Sequence, residues 1–102
     1  MSKTYITITG CEHYFGQEFM KKGMLVTLEK EPDNKHDKEA IKVTMEGLGK
    51  VGYVANSVYT VLGESQSAGR IYDKMDSYAM AKIMYVLPTG VVCKVKFPEP
   101  IL

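Results

Sequence analysis

Two short segments concentrate the side chains that could do chemistry. Gly10-Cys11-Glu12-His13-Tyr14-Phe15-Gly16 sets a thiol, a carboxylate, an imidazole and two rings between glycines. Lys30-Glu31-Pro32-Asp33-Asn34-Lys35-His36-Asp37-Lys38-Glu39 is polar at nine of its ten positions. A calcium loop built on Asp33, Asn34 and Asp37 would need a central glycine and a terminal bidentate glutamate, and neither is in place. Zinc on Cys11, His13 and His36 would need ligand pairs at Cys-x-x-Cys or His-x-x-x-His spacing, which the chain lacks. A cysteine nucleophile at Cys11 would need an activating histidine and an oxyanion site, and no helix start or family signature follows it. There is no glycine-rich phosphate loop ending in lysine. The expectation is a protein with no metal or cofactor and no catalysis.

Recognition remains. Lys30, Lys35, Lys38, Lys50, His13 and His36 offer cations for phosphates, and Tyr14 and Tyr53 offer flat faces for bases, provided the two segments are neighbours. Glu12, Glu31, Asp33, Asp37 and Glu39 lie in the same segments and repel a phosphate chain. Composition leaves the two tendencies balanced. The plainer reading of the second segment is a solvated connection in which Pro32 stops a strand and the Asx side chains satisfy their own backbone.

The elements that must position these segments are short strands. Strict alternation over residues 5–9 puts Ile6 and Ile8 on one face, and residues 24–31 repeat it with Met24, Val26 and Leu28. Residues 40–45 and 50–54 flank Glu46-Gly47-Leu48-Gly49 as a hairpin. Residues 79–87 and 91–97 flank Pro88-Thr89-Gly90 as another, with Val91, Cys93, Val95 and Phe97 inward. Asn56 or Ser57 would cap a short helix with Val58, Val61 and Leu62 on one face and Gly63 as its stop. Residues 64–76 read as an ordered loop, with at most one helical turn and with Ile71 and Met75 pinned to the core. The fold class expected is mainly β, a small antiparallel barrel of about six strands with one short helix.

At 102 residues the chain hides about 65% of its extended surface, enough for a single core, so residues 1–102 are read as one domain. Thirteen Lys and Arg against twelve Asp and Glu leave a net charge of +1, so no partner is implied by the global field. No apolar run is long enough to span a bilayer, and the N-terminal alternation of Thr with Ile or Tyr is not a signal peptide. A cytoplasmic location is expected, with Cys11 and Cys93 as small core residues rather than a disulfide.

Three blocks of sequence resemble the HIRAN domain. Glu31-Pro32-Asp33-Asn34-Lys35-His36-Asp37-Lys38-Glu39-Ala40-Ile41-Lys42-Val43 is similar to that family's Glu-Pro-x-Asn-x-x-Asp-x-x-Ala-Ile-x-Val signature. Gly10 with Tyr14-x-Gly16, and Val51-Gly52-Tyr53-Val54, match two further blocks in order and spacing. The resemblance implies an OB-like barrel and, as in characterised eukaryotic members, a pocket for the 3′ end of single-stranded DNA. It implies roles for Asn34 and Asp37, the latter accepting a hydrogen bond from a terminal hydroxyl while repelling a terminal phosphate. It places Glu12 and His13 beside the terminal base, where those relatives carry an arginine and an aromatic. His36 stands for an aromatic, Tyr53 for a histidine, Asn56 for a lysine and Tyr78 for a base-facing aromatic. The function implied is a non-catalytic module recognising single-stranded DNA with a free 3′ hydroxyl, in DNA repair or processing, with RNA as the other nucleic-acid ligand. The substitutions at Glu12 and Asn56 remove cations, which raises the rival expectation of a protein-interaction module that keeps the barrel. A net acidic rim around the pocket favours that rival.

Overall fold

Alternating apolar and polar side chains form six strands in the computed structural model, which describes residues 3–96. They are β1 (Thr4–Thr9), β2 (Leu25–Lys30), β3 (Ile41–Met45), β4 (Gly49–Val54), β5 (Tyr78–Leu87) and β6 (Gly90–Lys96). The strands close into an antiparallel barrel in the order β1-β4-β3-β2-β5-β6. This is the OB-like barrel expected from the sequence. The pleat aims every second side chain inward, so Ile6, Ile8, Leu28, Val43, Val51, Ile83, Val91 and Cys93 are fully buried. Facing pairs such as Ile6 with Cys93 and Leu28 with Val43 build the core layer by layer. Both expected hairpins form, with turns at residues 46–48 and 88–89. Phe97, read as the last inward residue of β6, lies outside the described residues. Cys11 and Cys93 are free and buried.

Two expectations are corrected. Met24 does not face the core: it is 36% exposed, and the inward alternation begins at Val26, because Met24 closes a turn onto Lys21 just before β2 starts. The short helix does not form at Val58, Val61 and Leu62. Residues 57–60 make an isolated turn there, with Val58 88% and Tyr59 93% exposed. The single helical turn allowed for residues 64–76 does form, as α1 (Ala68–Tyr72), with Ala68 and Ile71 buried at i, i+3 spacing and Met75 buried after it.

The cause is the barrel's narrow seam. β1 meets β4 at only two residue pairs, Ile8 with Val54 and Thr9 with Tyr53, against five with β6. The rest of its edge needs donors, since a buried backbone carbonyl left unpaired costs about 1–3 kcal/mol. The segment after β4 supplies them. Ala55 N–H donates to the Thr7 carbonyl at 2.8 Å, Leu62 N–H to Thr7 Oγ1 at 3.1 Å and Gln66 N–H to the Tyr5 carbonyl at 2.7 Å. Ala55 and Leu62 both return to Thr7, so residues 56–61 loop out from the edge with one turn closed on the Ser57 carbonyl, and the hold of Gln66 on Tyr5 keeps that turn from continuing as a buried helix.

Candidate nucleic-acid interface

The polar segment after β2 is a fixed turn system. Asn34 organises it: its Oδ1 accepts from the backbone N–H groups of His36 (2.9 Å) and Asp37 (3.0 Å), and its Nδ2 donates to Glu31 Oε1 (2.8 Å). Glu31 N–H closes the base of the loop onto the Ala40 carbonyl at 2.9 Å. The reading of Asx residues satisfying their own backbone thus describes Asn34, and one N–H of its amide is left for a ligand.

Asp37 is held from two sides. Its Oδ1 accepts the Glu39 N–H at 2.9 Å and its Oδ2 accepts Asn56 Nδ2 at 2.9 Å. Asn56 Oδ1 in turn accepts the Gly69 N–H of α1 at 2.8 Å. Gly69 permits this approach, since a Cβ there would lie 2.9 Å from Glu39 Oε1 and 3.3 Å from Asn56 Oδ1. Asn56, where the similar DNA-end binders have a cation, is here an uncharged bridge between Asp37 and α1.

The other wall comes from the first segment and β4. Gly10, at φ 75°, turns β1 into a single 3-10 turn, Cys11–His13, anchored by buried Cys11. The turn delivers Tyr14 to Tyr53, with ring centroids 6.5 Å apart and planes tilted by 50°. Tyr53 OH donates to Glu31 Oε1 at 2.7 Å and receives Lys50 Nζ at 2.7 Å, while Lys50 lies 3.4 Å from Glu31 Oε2. Glu31 and Lys50 therefore neutralise each other beside the rings. Burial alone would raise the Glu31 carboxyl, but the donors on Tyr53, Asn34 and Lys50 outweigh it and hold the group below the usual glutamate range. The hydrogen bond to Tyr53 raises the Lys50 ammonium.

A pH prediction follows from the depressed Glu31. Its stabilising contribution is complete above the unfolded glutamate pKa and is lost as pH falls through the lower folded value. Tyr53→Phe removes a donor and lets the folded value rise. The acid-side loss of Tm should then be smaller and should finish at a higher pH than in the wild type. Identical Tm–pH curves from thermal melts would show that the phenol does not hold the carboxyl.

Together these walls flank an open cavity of about 550 Å³ lined by Tyr14, Asn34, His36, Asp37, Ala40, Tyr53, Val54, Asn56, Ser57 and Thr60. Six of the residues expected at the site meet there: Tyr14, Asn34, His36, Asp37, Tyr53 and Asn56. Glu12 and His13 do not line it. Their side chains are about three-quarters exposed on the 3-10 turn and approach each other at 3.5 Å. Tyr78 stands 58% exposed at the start of β5, opposite Glu29 on β2, and is likewise outside the cavity. Sequence reasoning missed the Glu31–Tyr53–Lys50 cluster and the hydroxyls of Ser57 and Thr60.

Asp37 is the one Asp, Glu, Lys or Arg side chain in the lining, so the lining holds a carboxylate and no lysine or arginine. Burial, reinforced by Glu12, raises the Cys11 thiol, and burial with Cys11 nearby pushes Cys93 up to about 12. Neither is a thiolate nucleophile at neutral pH. Among the described residues no three His, Cys, Asp or Glu side chains are grouped to hold a metal. No helix among them is long and apolar enough to cross a membrane.

A family model for the HIRAN domain matches residues 1–85. Among solved structures, the chain is similar to the HIRAN domain of human HLTF, with TM-score 0.61 and 17% identity over 92% of this chain and 71% of that one. It is similar also to a protein from Lactobacillus plantarum, with TM-score 0.60 and 18% identity over 92% of this chain and 93% of that one. Identities this low speak to the fold alone. Comparison with curated protein sequences finds no match.

Proposed function

The chain belongs to the HIRAN domain family, and from that premise we propose that it is a non-catalytic nucleic-acid-binding module whose cavity takes the free 3′ hydroxyl end of single-stranded DNA. Asp37 carries this reading. Each of its oxygens spends one acceptor position inside the protein, on the Glu39 N–H or on Asn56, and keeps another for an incoming hydroxyl. A terminal phosphate would instead bring about two negative charges against a carboxylate, in a lining with no lysine or arginine to offset them. Tyr14, Tyr53 and His36 supply flat faces on which a terminal base stacks regardless of sequence. The setting proposed is DNA repair or processing in the cytoplasm, with an RNA 3′ end as the other nucleic-acid ligand.

A second reading rests on the acidic lining. A protein-interaction module would use the same cavity to receive a donor-rich side chain from a partner. The experiment that separates the two is fluorescence anisotropy of labelled ten-nucleotide single strands ending in a 3′ hydroxyl or a 3′ phosphate, at low and moderate salt. Binding that needs the hydroxyl and weakens only shallowly with salt is expected, since few phosphates are neutralised and each adds about −0.7 to the logarithmic slope. No binding at low salt would remove the nucleic-acid reading and leave the protein partner.

A further inference from the structure

A second groove adjoins the cavity, and the residues between them are shared. It encloses about 430 Å³ between the turn at residues 57–60 and the approach to α1, and Asn56 and Ser57 line both spaces. Arg70, the only arginine in the chain, also lines it. Arg70 forms no ion pair with any described residue. Its neighbour Gly69 donates to Asn56 Oδ1 at 2.8 Å, and Asn56 Nδ2 donates to Asp37 at 2.9 Å. A continuous hydrogen-bonded bridge therefore runs from the carboxylate in the cavity to the residue beside the arginine.

Resting on the end-binding reading, we infer that the groove is a backbone track. A strand whose 3′ nucleoside sits against Asp37 passes over Asn56 and places a phosphodiester upstream of the terminal dinucleotide on the Arg70 guanidinium. The end cavity rejects phosphate charge and the groove accepts it, so the two halves of a strand's end are sorted into two adjoining spaces. Arginine suits this role because its planar fork reaches two phosphate oxygens at once. Ser65, Gln66 and Ser67 add neutral polar groups along the same wall. Tyr59, 93% exposed on the turn beside the groove, offers a stacking face for a base turned outward. Glu64 also lines the groove and opposes the phosphate.

The test compares wild type with Arg70→Ala and Glu64→Gln, using a labelled ten-nucleotide strand with a 3′ hydroxyl and an unlabelled dinucleotide of the same end as competitor. In the wild type the ten-mer binds more tightly than the dinucleotide. Arg70→Ala is expected to weaken the ten-mer on the order of ten-fold at low salt, the scale of one charge-assisted contact. It should leave the dinucleotide unchanged and reduce the salt slope by about 0.7. Glu64→Gln is expected to tighten the ten-mer by roughly two-fold, as a like charge near the track is removed. Unchanged ten-mer affinity and slope in Arg70→Ala, with hydroxyl preference intact, overturns the track and leaves the end cavity standing. Absence of binding by both strands overturns both. Because Arg70 is exposed and unpaired with described residues, an unchanged Tm for Arg70→Ala shows that the comparison reports binding and not folding.

Discussion

Replacing Asp37 with alanine is expected to erase the distinction between a 3′ hydroxyl and a 3′ phosphate. The variant loses the acceptor that rewards the hydroxyl and the charge that penalises the phosphate, so the two affinities converge from both directions. Hydrogen bonds to charged groups contribute about 1.5–3 kcal/mol, which is roughly ten- to over one hundred-fold in affinity for the hydroxyl end. Alanine also frees the Glu39 N–H and the Asn56 amide, which Asp37 now holds at 2.9 Å each, so some loosening of the turn accompanies it. Asp37→Asn separates the two effects. It keeps the shape and one carbonyl acceptor while removing the charge, so its Tm should stay nearer the wild type and its tolerance of a terminal phosphate should rise. Titrating both variants with both strands checks this. Retained preference in Asp37→Ala would mean that another group reads the end.

The strands were legible because their signal is local: a residue's neighbours at i±2 show which side of the pleat it occupies. The signature segment was legible as a turn for the same reason, Pro32 and the Asx side chains acting on their own backbone. The loss of a helix at residues 58–62 was not. Val58, Val61 and Leu62 have the spacing of a buried face, but the unpaired edge of β1 draws residues 55–66 across it, and β1 lies some fifty residues earlier in the chain. Periodicity carries no information about a demand made that far away.

The site shows the same division. The residues that belong together could be gathered, but how each spends its hydrogen bonds could not. Asn34 is the exception: its local role, Oδ1 accepting from two backbone N–H groups, was legible as an Asx turn. Asn56 reads as a lost cation, yet it ties Asp37 to α1. Glu31 reads as a repelling charge, yet Lys50 and Tyr53 cover it. The Asn56 and Glu31 assignments depend on contacts between segments distant in the chain rather than on residue type.

Gly52→Ala is expected to give the largest loss of stability of any single methyl added to this barrel wall. Gly52 sits on β4 facing Val43 of β3, with ordinary extended backbone, so its need for glycine is steric and not conformational. A Cβ there would lie 2.7 Å from Ile8 Cγ2, 2.8 Å from the Thr9 carbonyl oxygen and 3.4 Å from Cys11 Sγ. A side chain can rotate away, but the Thr9 carbonyl belongs to β1 at the two-pair seam with β4, so relief requires the strands to part where the barrel is already most thinly joined. Overpacking of this kind costs about 1–3 kcal/mol. At about 4–8 °C of Tm per kcal/mol for a domain of this size, a fall of about 4–24 °C is expected by calorimetry. Binding should suffer beyond the stability loss, because the displaced atoms lead directly to the site: Tyr53 follows Gly52, and Thr9 and Gly10 lead into the 3-10 turn that carries Tyr14. A folded Gly52→Ala protein at low temperature should therefore bind the hydroxyl-ended strand more weakly than the wild type while Arg70 still sets the salt slope. An unchanged Tm would mean that β1 and β4 separate freely at the seam, and that the approach of Tyr14 to Tyr53 is not fixed by it.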